Sequence, residues 1–512
     1  MRKLLPFAAL LTAIITPVEA SPSVLTVAQW RADLAELDAV IRETHPTPFK
    51  AISDSELKAR VGALDAELPS LADAEIVMRL AEIVAALEDG HSRLTIPRDR
   101  PELGLVMSHS TAAPTSLPAL NFPAAPTIFE KFPDGAYVVA ASEAHRDLIG
   151  LRLIAIGGVS ADAALAAARR ASFSNDNGLR EIMAASLLST PGALAGLGLD
   201  ADFTYQFGGA DGAVRTITLA PVGDEAITGA FGEPPPLHAR EADAPFLVDR
   251  SRPGVIYAAV TEIADGEDER FAAFAKGVAA EAERRNAKLV IDLRRNFGGD
   301  GGLNKTLLLA VANSRKLNCW GRVFVLTGPR TFSAAQMLVN DLEDLTRTLF
   351  VGEATGSPPD HFGDPKKIAL KNSGLTLRVS TLHWPSAFGR DRRAATNPDI
   401  PAPWTAADYF SGRDPALEAA AAYKFTGLKS LLKGALDRND HYQIARYLQN
   451  ERLFPDSATT SFASEILSLA KDYETAGDKE KASFAYRYGR AFFPDDAALK
   501  AAFETFEGGG AE

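Results

Sequence analysis

Apolar runs and amphipathic segments alternate along the sequence between residues 255 and 405. Apolar runs at residues 255–260, 288–293, 323–326 and 349–351 have the length of buried strands, and segments 269–285, 303–312 and 334–345 between them have helical spacing. Strands that alternate with helices in this way are parallel and are joined by crossover helices. The sequence therefore predicts an α/β core, which we place at residues 245–422.

The 512 residues are too many for one core, so we expect two or three domains. Residues 21–100 form a predicted helical module, because their apolar residues recur at three- and four-residue steps. Residues 127–222 mix short β-like runs with helical stretches, and residues 423–512 are helical throughout. The last region contains one helix pair of tetratricopeptide type. A single helix pair cannot bury its own apolar faces, because stacked repeats are needed for that. We therefore expect an appendage that packs on the rest of the protein or forms a homo-oligomer, rather than a peptide-recognition domain.

Composition excludes several classes of function. A net charge of −12 argues against a nucleic-acid partner. Cys319 is the only cysteine, so an intramolecular disulfide and a structural cysteine-zinc site are both excluded. Its place before an apolar run indicates a buried, inert thiol rather than a nucleophile. We predict no metal and no other cofactor.

The first twenty residues have the pattern of a secretory signal peptide. Arg2 and Lys3 precede an apolar stretch over residues 4–18, and small residues stand at Val18 and Ala20. An uncleaved anchor is the alternative, but the stretch is short for a membrane span. We therefore expect cleavage before Ser21, export to the periplasm or the exterior, and no membrane attachment afterwards.

A glycine-rich segment follows the predicted strand at 288–293. Gly298 and Gly299 present backbone N–H groups without side chains in the way, which suits a developing oxyanion. Such turns at the carboxyl ends of strands are where ligands bind in open α/β folds. A tight turn without a ligand is the alternative.

Two further residues can perform chemistry. Ser333 lies between an apolar strand and a predicted helix, where a hydroxyl is exposed and helix amides favour negative charge. Serine is also the preferred N-cap residue, so the local pattern does not separate a nucleophile from a cap. His91 follows an Asp-Gly turn and is a candidate base, although a lone histidine is more often structural.

Together these segments resemble the C-terminal processing (tail-specific) peptidase family, which includes the tricorn core protease and the interphotoreceptor retinoid-binding proteins. The resemblance runs from about His45 to Ala419 and rests on four motifs in the family's order: Asp89-Gly90-His91-Ser92, Val290 to Gly299, Thr331-Phe332-Ser333-Ala334-Ala335-Gln336 and Gly352-Glu353-Ala354-Thr355-Gly356. It implies a crotonase-like spiral core, with a PDZ-like domain at residues 127–222, and hydrolysis of peptides or proteins. Gln336 stands where the family usually has Glu.

One departure from the family pattern selects the mechanism. The branch with a Ser–Lys dyad would have its lysine at the place of Pro358, which cannot ionise; Lys366 and Lys367 could substitute only if the loop folded back. The tricorn-like branch pairs its serine with a histidine, and this sequence retains His91. The resemblance therefore implies a serine peptidase in which Ser333 is the nucleophile and His91 is the base.

The resemblance also implies the remaining site residues. Ser92 corresponds to a hydroxyl that helps to orient the histidine, and Asp391 is the nearest acid upstream of the segment Asn397-Pro398-Asp399-Ile400. Glu353 and Asp364 are rivals for the role of the acid. The oxyanion would bind the amides of Ala334 and of Gly298 or Gly299. A non-catalytic binding protein on the same fold, with Ser333 as a helix cap, and a scaffold acting through its C-terminal helices are the competing interpretations.

Overall fold

The computed structural model describes residues 23–99, 117–175, 177–209, 212–221, 227–229, 245–267, 269–387, 391–453 and 462–508. The predicted signal peptide of residues 1–20 lies outside these ranges. Among the residues that are described, no helix has the length and apolar character needed to span a membrane. The same residues contain no cluster of His, Cys, Asp or Glu side chains that could hold a metal ion.

The N-terminal module consists of α1 (Val27–Thr44), α2 (Asp54–Glu67) and α3 (Asp73–Ala85), followed by the short strand β1 (Arg93–Leu94). Helix α1 begins with a capping box between Thr26 and Gln29. It ends before Pro46, because the residue preceding a proline avoids the helical conformation. The apolar residues that predicted this helix, among them Trp30 and Leu37, are buried.

An antiparallel sheet of seven strands follows. Its strands are β2 (Thr127–Phe132), β3 (Gly135–Ser142), β4 (Arg152–Ile156), β5 (Val159–Ser160), β6 (Thr204–Gly208), β7 (Val214–Thr218) and β8 (Ile227–Gly229). The order is β2-β3-β4-β6-β7, with β5 on β4 and β8 on β3. Three helices lie between β5 and β6: α4 (Ala161–Ala171), α5 (Gly178–Ala185) and α6 (Pro191–Gly196). The PDZ-like character of this region remains a prediction.

Within residues 245–422, the part of the chain that the structure describes contains the remaining strands and five α-helices. The strands are β9 (Phe246–Asp249), β10 (Val255–Val260), β11 (Lys288–Asp292), β12 (Val323–Thr327), β13 (Leu349–Gly352), β14 (His361–Gly363), β15 (Lys366–Ala369), β16 (Thr376–Val379), β17 (Leu382–Trp384) and β18 (Ile400–Pro401). The helices are α7 (Phe271–Arg284), α8 (Asn304–Ala312), α9 (Ala334–Leu345), α10 (Ala406–Ser411) and α11 (Pro415–Ala422).

Six of these strands form one sheet in the order β18-β13-β12-β11-β10-β9. All its pairings are parallel except that of the edge strand β9. The predicted parallel arrangement is therefore confirmed. Because β11, β12 and β13 are parallel neighbours, the loops that follow them meet at one edge of the sheet. In addition, β1 pairs with β16, which brings the end of the N-terminal module to residues 376–379.

Each face of this sheet is covered by helices, since alternate side chains of a strand point to opposite faces. Ile291 packs in a cluster with residues of α7, α8 and α9, whereas its neighbour Val290 packs in a cluster with the C-terminal helices. These helices are α12 (Leu428–Asp437), α13 (His441–Leu453), α14 (Phe462–Thr475), α15 (Lys479–Phe492) and α16 (Ala497–Gly508).

A buried polar contact also joins the C-terminal helices to the core. The Asp399 carboxylate accepts hydrogen bonds from the Phe350 N–H at 2.7 Å, from Arg446 at 2.8 Å and from the Tyr447 hydroxyl. The region is helical as predicted, and it packs against the core. It supplies the apolar side chains that cover one face of the parallel sheet.

Candidate active site

Three loops come together at the carboxyl ends of β11, β12 and β13. The Thr331 hydroxyl, in the loop after β12, donates to the Leu293 carbonyl at 3.0 Å, and the Phe332 N–H donates to the Asn296 carbonyl at 3.0 Å. The loop after β13 joins them through the Gly356 N–H, which donates to the Thr331 carbonyl at 3.0 Å. The three segments that the sequence singled out are therefore neighbours in space.

Ser333 begins α9 in a conformation that an ordinary helix cap does not have. Its φ is 54° and its ψ is −125°, and its side chain makes no capping hydrogen bond. An N-cap serine is normally extended and accepts a hydrogen bond from the first turn. Positive φ in a non-glycine residue costs of order 1–3 kcal/mol and is concentrated at functional sites. The hydroxyl is thereby turned away from the helix.

The Ser333 hydroxyl meets His91 instead. The His91 Nε2 and the Ser333 Oγ are 3.0 Å apart, although 242 residues separate them in the chain. The imidazole is stacked on Phe332, with ring centroids 4.4 Å apart. The two loops approach so closely that a Cβ on Gly90 would lie 2.6 Å from the Phe332 ring, so Gly90 has no room for a side chain.

Asp89 is the carboxylate of this site. Its Oδ1 accepts the backbone N–H of His91 at 2.9 Å, and its Oδ2 accepts the hydroxyls of Ser92 at 2.5 Å and Ser380 at 2.6 Å. The Nε2 of His45 lies 3.4 Å from Oδ2. Because the His45 Nδ1 accepts the Thr47 N–H, its proton is on Nε2 and faces Asp89.

Burial and these contacts determine the charges. Burial lowers the pKa of His91 to about 3, although the Asp89 carboxylate acts in the opposite direction. Burial alone would raise the pKa of Asp89, but His45, the charge on His91 and the two serine hydroxyls hold it well below its usual range. At neutral pH the site therefore contains an ionised Asp89 and a neutral His91, which is the form of histidine that can accept a proton.

The amide groups around Ser333 are not equally available. The Gly298 N–H already donates to the Asn296 Oδ1 at 2.8 Å. Among the described residues, no hydrogen bond is formed by the N–H of Gly299 or of Ala334. Gly298 serves the site through its missing side chain instead, since a Cβ there would lie 2.7 Å from the Ser333 Cβ.

The structure does not bring Asp391 to His91. Both of its carboxylate oxygens bind Arg393, which also pairs with Glu343. The two rivals are engaged elsewhere too: Asp364 accepts the Trp384 indole N–H at 2.7 Å, and burial and the nearby Glu130 raise the pKa of Glu353. Asp391 was predicted from its position along the chain, upstream of residues 397–400. The fold instead places Asp89 beside His91.

Other predicted residues have different surroundings from those expected. The Ser92 hydroxyl binds Asp89 and accepts the Ser380 N–H at 3.0 Å, and forms no hydrogen bond with the His91 ring. Lys366 and Lys367 are exposed on β15. The sequence analysis did not single out Asp89 as a candidate acid. The signal was available, because an Asp two residues before a His in a tight turn commonly accepts that residue's N–H.

The fold is shared with solved structures, although the sequences are distant. Mature CPAF in complex with lactacystin matches with a TM-score of 0.53 and 15% identity, over 77% of this chain and 97% of that one. A second crystal structure of mature CPAF matches with a TM-score of 0.51 and 16% identity, over 81% of this chain and 98% of that one. The photosystem II D1 C-terminal processing protease matches at a TM-score of 0.37 and 16% identity, over 75% and 94%. No family model matches the sequence, and no curated protein sequence does.

Proposed function

We propose that this protein is a serine peptidase that hydrolyses peptide bonds through an acyl-enzyme on Ser333. The observation that carries the proposal is the 3.0 Å contact between the Ser333 Oγ and the His91 Nε2. A serine that served only as a helix cap would bond to its own helix and would adopt ordinary backbone angles. The predicted resemblance to C-terminal processing peptidases, of the tricorn-like Ser–His branch, agrees with this arrangement.

In the proposed reaction, the neutral His91 accepts the Ser333 proton at Nε2 while Oγ attacks the carbonyl carbon of the substrate. The C–N bond then breaks as His91 passes that proton to the leaving amine, which leaves an ester on Ser333. A water molecule then gives a proton to His91 and attacks the ester carbonyl. The bond between the acyl carbon and the Ser333 Oγ breaks as His91 returns that proton to Oγ, which releases the acid and the free serine. Water is the only reactant needed besides the peptide.

Asp89 acts in this proposal as the orienting acid in place of Asp391. It fixes the backbone at His91 and supplies a negative charge beside the imidazolium that forms during the reaction. A negative charge beside the imidazolium stabilises the charged intermediate. Ser92 orients the histidine indirectly, by holding Asp89.

The oxyanion of the tetrahedral intermediate would bind the N–H groups of Ala334 and Gly299. Both are free of other hydrogen bonds among the described residues, and Ala334 is the first residue of α9, where the helix dipole favours negative charge. Loss of one such donor costs about 3–4 kcal/mol in the transition state.

The crotonase-like core follows from the resemblance, and the cleavage of the signal peptide and the export to the periplasm or exterior follow from residues 1–20. The proposal covers both an endopeptidase and a C-terminal processing peptidase. N-terminal sequencing of the protein recovered from a secreting host tests the cleavage before Ser21.

Labelling by a fluorophosphonate probe tests the chemistry. We expect wild type to be labelled and Ser333→Ala to remain unlabelled, with His91→Ala slower by orders of magnitude. The exposed Ser411→Ala is the matched control and should be labelled like wild type. Equal labelling of wild type and Ser333→Ala, or labelling of neither, refutes the proposal.

A further inference from the structure

Three basic side chains form a row across the small antiparallel sheet, whose strand order is β1-β16-β15. Arg378 on the central strand β16 lies directly opposite Arg93 on β1 and directly opposite Lys367 on β15. Residues that lie opposite each other in an antiparallel pair point to the same face of the sheet. Their neighbours Leu94 and Leu377 are buried in the core on the other face. We call Arg93, Arg378 and Lys367 the basic row.

The basic row extends from the interior to the solvent. Arg93 is buried, Arg378 is partly exposed and Lys367 is exposed. Within the part of the chain that the structure describes, the side chains of Arg378 and Lys367 form no hydrogen bond and no ion pair. The two cations that a ligand can reach are therefore also the two whose charges are unpaired there.

The charges of the basic row repel one another. Like charges on directly opposite residues destabilise an antiparallel pair. Burial lowers the pKa of Arg93 to about 9, and the charge on Arg378 acts in the same direction, while the carboxylate of Asp89 opposes both. Arg93 is still protonated at neutral pH, so an anion bound at the row would relieve this repulsion.

The acidic side chains that contact this sheet are engaged elsewhere. Asp89 accepts the Ser380 hydroxyl at 2.6 Å. On α1, Asp33 and Glu36 accept backbone N–H groups of the turn at residues 371–373. Because α1 packs on the apolar face of the sheet, neither of these carboxylates lies on the face of the basic row.

A role in protecting the edge of the sheet explains only part of the row. Exposed lysines on an edge strand prevent pairing with a second sheet, and Lys366 and Lys367 on β15 fit that role by themselves. Arg378 does not fit it, since it lies on the central strand, where both edges are already paired. A positive charge at that place needs another explanation.

The basic row adjoins the proposed catalytic residues. Arg93 follows His91 by two residues, and Arg378 precedes Ser380, which binds Asp89, by two residues. Two residues of extended chain span about 7 Å. A peptide whose scissile carbonyl lies at Ser333 therefore needs only a few residues to reach the row.

We propose that the basic row binds acidic side chains of the peptide substrate, with Lys367 and Arg378 in contact with their carboxylates. This inference rests on the proposed peptidase function for the nature of the ligand, but binding can be measured without catalysis. Three neighbouring strands span about 10 Å, which suits two carboxylates of one segment better than the single carboxylate of a C-terminus. Two partly exposed ion pairs should increase the affinity about 3- to 30-fold.

The experiment uses the Ser333→Ala variant of the full chain, which cannot turn over a substrate. Dodecapeptides of alanine and serine, amidated at the C-terminus and labelled with an uncharged fluorophore, contain two Glu, two Gln or two Lys residues spaced two apart. They are titrated at low salt and followed by anisotropy. We expect the Glu peptide to bind about 3- to 30-fold more tightly than the Gln peptide and the Lys peptide to bind most weakly. High salt should reduce the ratio.

Added Arg378→Gln or Lys367→Gln should reduce the ratio of Glu to Gln affinity towards one. Neither change should lower Tm, because each removes a like charge from the row and breaks no ion pair. Lys366→Gln is the matched control: it removes the same charge from the next residue of β15, whose side chain points to the opposite face, and should leave the ratio unchanged.

No preference for the Glu peptide, a ratio that survives both variants of the row, or an equal loss in Lys366→Gln overturns the proposal. Two other ligands are tested on the same samples. If a free C-terminus strengthens binding of the Gln peptide as much as the two Glu residues do, or if a labelled oligothymidine binds in a row-dependent way at least as tightly, the assignment to acidic side chains is wrong. Failure of wild type to react with fluorophosphonate, in contrast, overturns only the peptidase assignment.

Discussion

Substitution of Gly298 by alanine should disable the proposed nucleophile without unfolding the protein. The added Cβ would lie 2.7 Å from the Ser333 Cβ, 2.9 Å from the Ala334 nitrogen and 3.1 Å from the Ser333 Oγ. Ordinary contact begins at 3.4 Å, so the loop or the serine must move by about 0.7 Å. A misplacement approaching 1 Å costs roughly 10²-fold in rate.

The positive φ of Gly298 adds a separate effect on stability, and the variant Gly427→Ala measures that effect by itself. Gly298 has a φ of +115°, and Gly427, at the start of α12, has a φ of +127°. A Cβ on Gly427 would meet only the flexible end of Glu465. Both alanine variants should lose about 1–3 kcal/mol of unfolding free energy from backbone strain, but only Gly298→Ala should lose reactivity.

The assay is the second-order rate constant for fluorophosphonate labelling, with urea unfolding measured on the same samples. We expect a decrease on the order of 10²-fold for Gly298→Ala and less than about 3-fold for Gly427→Ala. A folded Gly298→Ala protein that is labelled at the wild-type rate would show that the close approach of these two loops has no part in positioning Ser333.

Three other predictions concern the base, the acid and a buried amide. Because burial lowers the pKa of His91 to about 3, the labelling rate should stay level as the pH falls from 8 to about 5; a decrease centred near the ordinary value of about 6.5 would contradict this. Asp89→Asn should slow labelling by about 10²-fold or more, whereas Asp391→Asn should change it only a few-fold. The pKa of Asp89 is lower in the folded protein than in the unfolded chain, so the ionised carboxylate stabilises the fold above about pH 4. This stabilisation is lost as the pH falls through the pKa of Asp89 in the folded protein. The difference in Tm between wild type and Asp89→Asn should therefore shrink in acid. Gln336→Glu should lower the unfolding free energy by about 3 kcal/mol in urea titrations, since the Gln336 amide donates to Asn340 and Thr396 in a buried site where a carboxylate cannot.

Much of the architecture could be predicted because it depends on local patterns. Apolar runs and helical spacing identify the parallel sheet, and parallel strands necessarily bring their following loops to one edge. The pairing of His91 with Ser333 was accessible only through resemblance, since no periodicity relates residues 242 positions apart. The backbone angles of Ser333 result from packing between loops and have no signature in the serine itself.

The acid shows where reasoning from the sequence failed. Asp391 was selected by its distance along the chain from Asn397-Pro398-Asp399-Ile400, which does not specify what its side chain contacts. Asp89 lies within the same motif as the base, yet its role depends on Ser380, which β1 and β16 bring to it from almost 300 residues away. Long-range partners of this kind are set by the tertiary fold.

The covering of one sheet face by the C-terminal helices has a consequence for synthesis of the chain. Domains of a growing polypeptide usually fold in order from the N-terminus. Here the sheet that carries Ser333 cannot bury its second apolar face until α12 to α15 have been made. Asp399 likewise lacks Arg446 and Tyr447 until α13 has been made. A nascent chain that ends near residue 425 should therefore hold the nucleophile on an unfinished core, so that reactivity towards fluorophosphonate arises only when nearly the whole chain has been translated.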